Sequence, residues 1–151
     1  MRPKHILAPS DFSHHSETAI KAAFELASQF DATLHLLHVL AEPVAAIAPE
    51  PMIVSIEPPE YYHESEIACL GALKELSEKF NSAHVQVKTA ALWGSPIDTI
   101  LNYASQNAIE LIVISTHGRT GLSHILLGSV AESILRNAPC PVLTFREKSN
   151  N

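Results

Sequence analysis

The stretch LIVISTHGRTGLSHILLGS, residues 111–129, joins an almost unbroken apolar run to a loop that contains three of the chain's five glycines. Apolar residues at consecutive rather than alternate positions are typical of a strand that is buried on both faces of a parallel sheet. Glycine lacks a Cβ, so a glycine-rich backbone can come very close to another group. We therefore predict a buried strand over 111–115, followed by a loop that approaches something closely.

The same alternation of apolar runs and helical stripes extends through the whole chain. Strands alternating with helices indicate an α/β domain in which a parallel sheet is covered on both faces, a single doubly wound domain. The predicted strands are 5–9, 33–40, 85–92, 111–115 and 141–145, and the predicted helices are 14–30, 60–80, 96–107 and 129–138.

Two of the predicted helices have marked starting points. GSPID places Ser95 as an N-cap before Pro96, and GSVAE places Ser129 as an N-cap with Glu132 three residues later. Both patterns are typical of a capping box or a close variant of it.

Composition excludes several classes of function. The 151 residues suit one domain, and the net charge of −6 with scattered Lys and Arg argues against a nucleic-acid partner. No apolar run is long enough for membrane insertion, and the N-terminus has no signal-peptide pattern. Two cysteines, Cys69 and Cys140, form neither a disulfide framework nor a metal knuckle, so we predict a cytoplasmic protein.

One segment interrupts the rhythm of strands and helices. Residues 41–62 contain five prolines and four glutamates, and the MIVSI within them is compatible with an added strand or a partner contact. A mobile surface loop is the simpler interpretation. We predict a domain over 1–146 that includes a long acidic, proline-rich loop at 41–59, and a polar tail over 147–151.

Ligands of open parallel sheets bind beyond the carboxyl ends of the strands, where the strand order reverses. If the first and fourth strands are neighbours, APSD (8–11) and STHGRTG (115–121) face the same crevice. The glycines would bring amides to an anion, and the last helix would add its N-terminal amides. Turn glycines and a simple helix cap explain the same residues without a ligand.

Other kinds of site find little support in the sequence. HESEI (63–67) fails the zinc-protease pattern because position 67 is Ile67, and His35 and His38 should point to opposite faces of a strand. There is no GxSxG elbow and no Walker lysine, so we predict no catalytic residues and no protein-held metal.

The stretch HGRTGLSHILLGS resembles the signature of the universal stress protein family, in which nucleotide-binding members carry G-x2-G-x9-G-[ST]. Gly118, Gly128 and Ser129 match the pattern, and Ser115 stands where the first glycine would be. The segments ILAPSDFSHHSETAIKAA, LHLLHVL, GSPIDTIL and APCPVLTF are also similar to the family, so the resemblance covers nearly the whole chain.

The resemblance implies a Rossmann-like sheet, similar to that of the adenine nucleotide alpha hydrolases, with strand order 3-2-1-4-5. It also implies a homodimer through the last strand and ATP accompanied by Mg²⁺ or Mn²⁺. Carried over by position, Pro9, Ser10, Asp11 and Val39 would surround the base and ribose. The residues around the ribose and phosphates would be Ser115, His117, Gly118, Arg119, Gly128, Ser129 and Val130.

The function implied is that of an ATP-binding stress-response protein that acts through an unknown regulatory protein partner. Two alternatives are compatible with the sequence. One is a nucleotide-independent homodimer with a protective or interaction role, and the other is a slow ATPase.

Overall fold

The computed structural model describes residues 1–42, 57–117 and 127–146. These residues form nine elements in a regular alternation of strand and helix. In chain order they are β1 (His5–Pro9), α1 (His14–Phe30), β2 (Thr33–Leu40), α2 (Pro59–Phe80), β3 (Val87–Trp93), α3 (Pro96–Gln106), β4 (Leu111–Ser115), α4 (Ser129–Asn137) and β5 (Val142–Phe145).

The five strands form one sheet in the order β3-β2-β1-β4-β5, and every pairing between neighbours is parallel. At the centre, Ile6 of β1 lies opposite Leu34 of β2 on one side and Leu111 of β4 on the other. The predicted α/β class and the strand order implied by the family resemblance are confirmed.

Each face of the sheet carries its own apolar core, because successive strand residues point to opposite faces. On one face Ile6 packs with Ile20 of α1 and Leu73 of α2. On the other, Leu7 packs with Ile100 of α3 and Ile134 of α4. The central strands are therefore covered on both sides, which explains their continuous apolar sequence.

Some boundaries differ from the prediction. β3 covers Val87–Trp93 rather than 85–92, and α4 ends at Asn137 rather than 138. The proline-rich connection is also shorter than 41–62, since α2 begins at Pro59. The MIVSI segment and the predicted tail lie outside the described residues.

The helix starts agree only in part with the predicted caps. Ser95 is the N-cap of α3, although its side chain accepts no capping hydrogen bond. The prediction that Ser129 caps the last helix is wrong: Gly128 is the N-cap of α4 and Ser129 is its first residue. The best side-chain cap is that of α1, where the Ser13 side chain accepts a hydrogen bond from the Ser16 amide.

In the part of the chain that the structure describes, none of the helices has both the length and the apolar character needed to cross a bilayer.

Candidate functional site

A cavity of about 340 Å³ lies at the carboxyl ends of β1, β2 and β4, beside the first turn of α4. This volume is within the range of small-molecule sites, about 300–1,000 Å³. Most residues predicted to bind a ligand line the cavity, namely Pro9, Ser10, Asp11, Val39, Ser115, His117, Gly128, Ser129 and Val130. Gly118 and Arg119 lie outside the described residues, as does Gly121.

The loop from β1 to α1 positions Asp11 at the cavity. The Ser10 amide donates to the Leu37 carbonyl oxygen (2.8 Å), which extends the contact between β1 and β2 by one residue. The Ser13 amide donates to Asp11 Oδ1 (2.9 Å), and the Phe12 amide donates to Ser10 Oγ (3.0 Å). The bond from the Ser13 amide orients the Asp11 carboxylate, and both side chains bond nearby backbone amides as short polar side chains do in tight turns.

Phe12 adopts a left-handed backbone conformation with φ 60°. For a bulky residue this conformation is strained, and it persists only where surrounding contacts enforce it. The strained residue directly follows Asp11, at the point where the chain leaves the sheet and enters α1.

His38 also lines the cavity, although no sequence pattern predicts it as part of the ligand site. Its Nδ1 donates to the Ser10 carbonyl oxygen (2.8 Å), and its ring lies 4.5 Å from the Phe12 ring between centroids. His35, three residues earlier, contacts Tyr103 of α3 on the other face of the sheet. The predicted separation of the two histidines is confirmed by these contacts.

The end of β4 supplies the opposite wall of the cavity. Ser115 and Thr116 are buried, and the Thr116 amide donates to the Phe145 carbonyl oxygen (2.8 Å). The His117 amide donates to Ser115 Oγ (3.4 Å), and His117 Nδ1 lies 3.0 Å from Thr116 Oγ1. The His117 ring is 6.1 Å from that of His15, between centroids, so the residues that follow β4 lie beside the first turn of α1.

Gly128 has a structural reason to be glycine that is independent of any ligand. Its amide donates to the Thr116 carbonyl oxygen (2.6 Å), and a Cβ at this position would lie only 3.0 Å from the same oxygen. Its backbone angles, φ −69° and ψ 156°, are ordinary for any residue. Close approach to the end of β4, rather than unusual backbone geometry, is therefore what requires glycine.

The lining combines an apolar part with a polar part. Leu37, Ile100 and Ile114 supply apolar surface, whereas Asp11 and the start of α4 supply polar groups. The first amides of a helix carry a partial positive charge that favours anions, and Gly128 has no side chain to cap them. The arrangement suits a ligand with a flat apolar ring, hydroxyl groups and an anionic end.

A second polar cluster lies outside the cavity and joins β1 and β2 to α3. His5 Nδ1 lies 3.1 Å from His35 Nε2, and His35 Nδ1 lies 2.9 Å from the Tyr103 hydroxyl oxygen. His35 is 1% exposed. Its burial, together with the neighbouring His5 and Lys88, lowers its pKa from 6.5 to about 4, and burial raises the pKa of Tyr103.

Within residues 1–42, 57–117 and 127–146, no three His, Cys, Asp or Glu side chains are grouped closely enough to hold a metal ion.

Comparison with known proteins gives one consistent result. A model of the universal stress protein family matches residues 3–146. Universal stress protein MJ0531 of Methanocaldococcus jannaschii is 35% identical over 145 residues, which cover 95% of this chain and 82% of that protein. The solved structure of MJ0577 from the same organism superposes with a TM-score of 0.83 at 26% identity and covers 99% of this chain and 100% of that chain.

A more distant structure shares the fold. The universal stress protein of Archaeoglobus fulgidus in complex with dAMP has a TM-score of 0.64 at 20% identity, and the match covers 95% of this chain and 98% of that chain.

Proposed function

This chain belongs to the universal stress protein family, and from that premise we propose that it is a cytoplasmic ATP-binding protein with a regulatory role in stress. The observation that carries the proposal is the cavity where β1, β2, β4 and α4 meet, because it combines apolar walls with donors for an anion. The complex of the Archaeoglobus fulgidus relative with dAMP supports an adenine nucleotide as the class of ligand.

The base and ribose would occupy the side formed by β1 and β2. Pro9 and Val39 offer apolar contact to a purine ring, and Asp11 offers a carboxylate to a ribose hydroxyl. The Asp11 carboxylate is held by the Ser13 amide before any ligand arrives, so little further ordering of this side chain is needed on binding.

The phosphates would lie against the start of α4. Ser129 and Val130 belong to its first turn, where backbone amides and the helix dipole favour negative charge. The chain has a net charge of −6, so attraction of an anion must come from such local donors. Gly118 and Arg119 would complete the phosphate contacts, and Mg²⁺ or Mn²⁺ would be bound through the phosphates.

Ser115 replaces the first glycine of the nucleotide-binding pattern and is compatible with this arrangement. Its side chain is buried at the end of β4, where its hydroxyl oxygen accepts from the His117 amide. The Ser115 hydroxyl thus bonds the backbone that follows β4, and the small side chain leaves the adjoining cavity open.

We further propose that the protein is a homodimer that pairs through β5. This strand is at one end of the sheet, and Leu143 is 38% exposed there. An outer strand has backbone groups that can accept a further strand. Binding of ATP would then alter a surface near the cavity that a regulatory protein contacts.

Calorimetric titration of the nucleotide-stripped protein with ATP and Mg²⁺, in parallel with ADP and GTP, tests the proposal. The sharpest variant is Asp11→Asn, which removes the charge but keeps an oxygen for the Ser13 amide. We expect affinity to fall about 10- to 100-fold, the usual effect of losing a hydrogen bond to a charged group. Asp31→Asn is the matched control, because Asp31 is exposed at the other end of α1 and Asn tolerates its φ of 53°.

The proposal is wrong if millimolar ATP produces neither heat nor thermal stabilisation of the wild-type protein. That result would favour the nucleotide-independent homodimer, which the contact of Gly128 with Thr116 supports, because it explains a glycine of the pattern without a ligand. Phosphate release that depends on Asp11 or His117 would instead support the slow ATPase.

A further inference from the structure

Ser10 and Phe12, the residues immediately before and after Asp11, both contact the side chain of His38 on β2. His38 Nδ1 donates to the carbonyl oxygen of Ser10, and the His38 ring packs on the ring of Phe12. A carbonyl oxygen only accepts hydrogen bonds, so Nδ1 must carry the proton. The contact therefore fixes one tautomer of the imidazole.

The hydrogen bond restrains the peptide group between Ser10 and Asp11. The bond from the Ser10 amide to Leu37 fixes the peptide group that precedes Ser10. The Ser10 carbonyl belongs to the next peptide group, which leads directly into Asp11. The orientation of that group affects where the Asp11 carboxylate is directed, and the His38 side chain donates a hydrogen bond to it.

The strain at Phe12 explains why such a restraint is needed. A phenylalanine at φ 60° returns to an ordinary conformation unless its surroundings prevent it. His38 restrains the residue from two directions, since it fixes the preceding Ser10 carbonyl and covers the Phe12 ring.

We propose that His38 is a positioning residue, which locks the loop 10–13 so that Asp11 is directed into the cavity before a ligand binds. The consequence for ATP rests on the proposed function, whereas the locking of the loop does not. A protein that samples its binding-competent loop only part of the time binds with an affinity reduced by that fraction.

Three variants separate the hydrogen bond from the bulk of the ring. In His38→Asn the side-chain nitrogen is as many bonds from the backbone as Nδ1, whereas in His38→Gln it corresponds to Nε2. His38→Leu has neither nitrogen. The inference predicts that Asn retains the restraint better than Gln or Leu, which a general effect of side-chain volume does not predict.

The first test uses the protein without nucleotide. Nitrogen chemical shifts of the imidazole should show the proton on Nδ1, and the Phe12 and Ser13 amides should exchange slowly with solvent, because both are hydrogen-bonded within the loop. We expect exchange at both amides to become at least tenfold faster in His38→Gln and His38→Leu, but to change less in His38→Asn. The Val113 amide in the core provides the internal reference.

Unchanged exchange in His38→Gln and His38→Leu, a proton on Nε2, or equal acceleration in all three variants would each overturn the inference. The second test is ATP affinity, which should fall about tenfold in His38→Gln and His38→Leu and be largely retained in His38→Asn. If the wild-type protein binds no ATP, the proposed function fails, and the exchange measurements alone then decide the role of His38.

Discussion

The buried histidine on β2 makes the stability of this protein dependent on pH in a defined way. The pKa of His35 is lowered from 6.5 to about 4 in the folded protein, mainly by burial and then by His5 and Lys88. The unfolded chain therefore binds more protons than the folded protein between these two values. It follows that the free energy of unfolding falls as pH falls through that window, and that the contribution is complete above pH 6.5.

The magnitude follows from the difference between the two pKa values. A group that titrates at 6.5 when unfolded and at about 4 when folded contributes on the order of 3 kcal/mol above the upper value. The slope attributable to this residue cannot exceed about 1.4 kcal/mol per pH unit. Since whole domains are stable by only about 5–15 kcal/mol, such a contribution is easily measured.

Urea unfolding of the wild type and of His35→Gln, at intervals between pH 7.5 and 4, isolates this contribution. The variant side chain does not titrate, so the wild type should lose about 3 kcal/mol more than the variant across the window. His63→Gln, at an exposed position in α2, is the control for removal of a histidine as such. If the wild type and His35→Gln change in parallel with pH, the argument from burial is refuted.

Three further predictions concern the ends of helices and a thiol. Ser13→Ala removes the hydrogen bond from the Ser16 amide to the cap of α1 and should lower the free energy of unfolding in urea by about 1 kcal/mol. Gly128→Ala should lower the free energy of unfolding by about 1 kcal/mol in the absence of nucleotide, because strain of the new Cβ against the Thr116 carbonyl oxygen outweighs the lower entropy of the unfolded chain. An unchanged melting temperature would contradict this expectation. Burial raises the pKa of Cys140, so this thiol should react with iodoacetamide at pH 7.5 much more slowly in the folded protein than in urea, and equal rates would be inconsistent with this.

The central strands were predictable because strands that are buried on both faces have apolar residues at consecutive positions. β4 is buried on both faces, and its five apolar or small residues define its limits without reference to the rest of the chain. The predicted β3 starts two residues too early and ends one residue too early, because an outer strand is half exposed and mixes polar with apolar side chains. The observed limits of β3 follow from its pairing with β2, and the sequence of β3 alone does not predict this pairing.

The residues of the candidate site were likewise predictable only in part. Asp11 and Ser115 could be placed at the cavity because the carboxyl ends of parallel strands meet at one edge of the sheet. The N-cap role of Gly128 and the position of His38 at the cavity depend on contacts between segments that are separated in the chain. A capping pattern suggested Ser129 as the cap, but Gly128, which approaches Thr116, is the cap, so the helix begins one residue earlier than that pattern requires.

β3 and β5 are the outer strands of the sheet formed by the described residues, and they differ in charge. β3 carries the exposed Lys88, whereas Val142–Phe145 of β5 has no charged side chain. Charge on an outer strand opposes the addition of another strand, so β5 is better suited than β3 to the pairing proposed above. When two copies join through the same strand, each occupies the surface that the other needs, and assembly closes on itself. In the proposed homodimer, Lys88 at the opposite edge would therefore help to limit assembly to a pair.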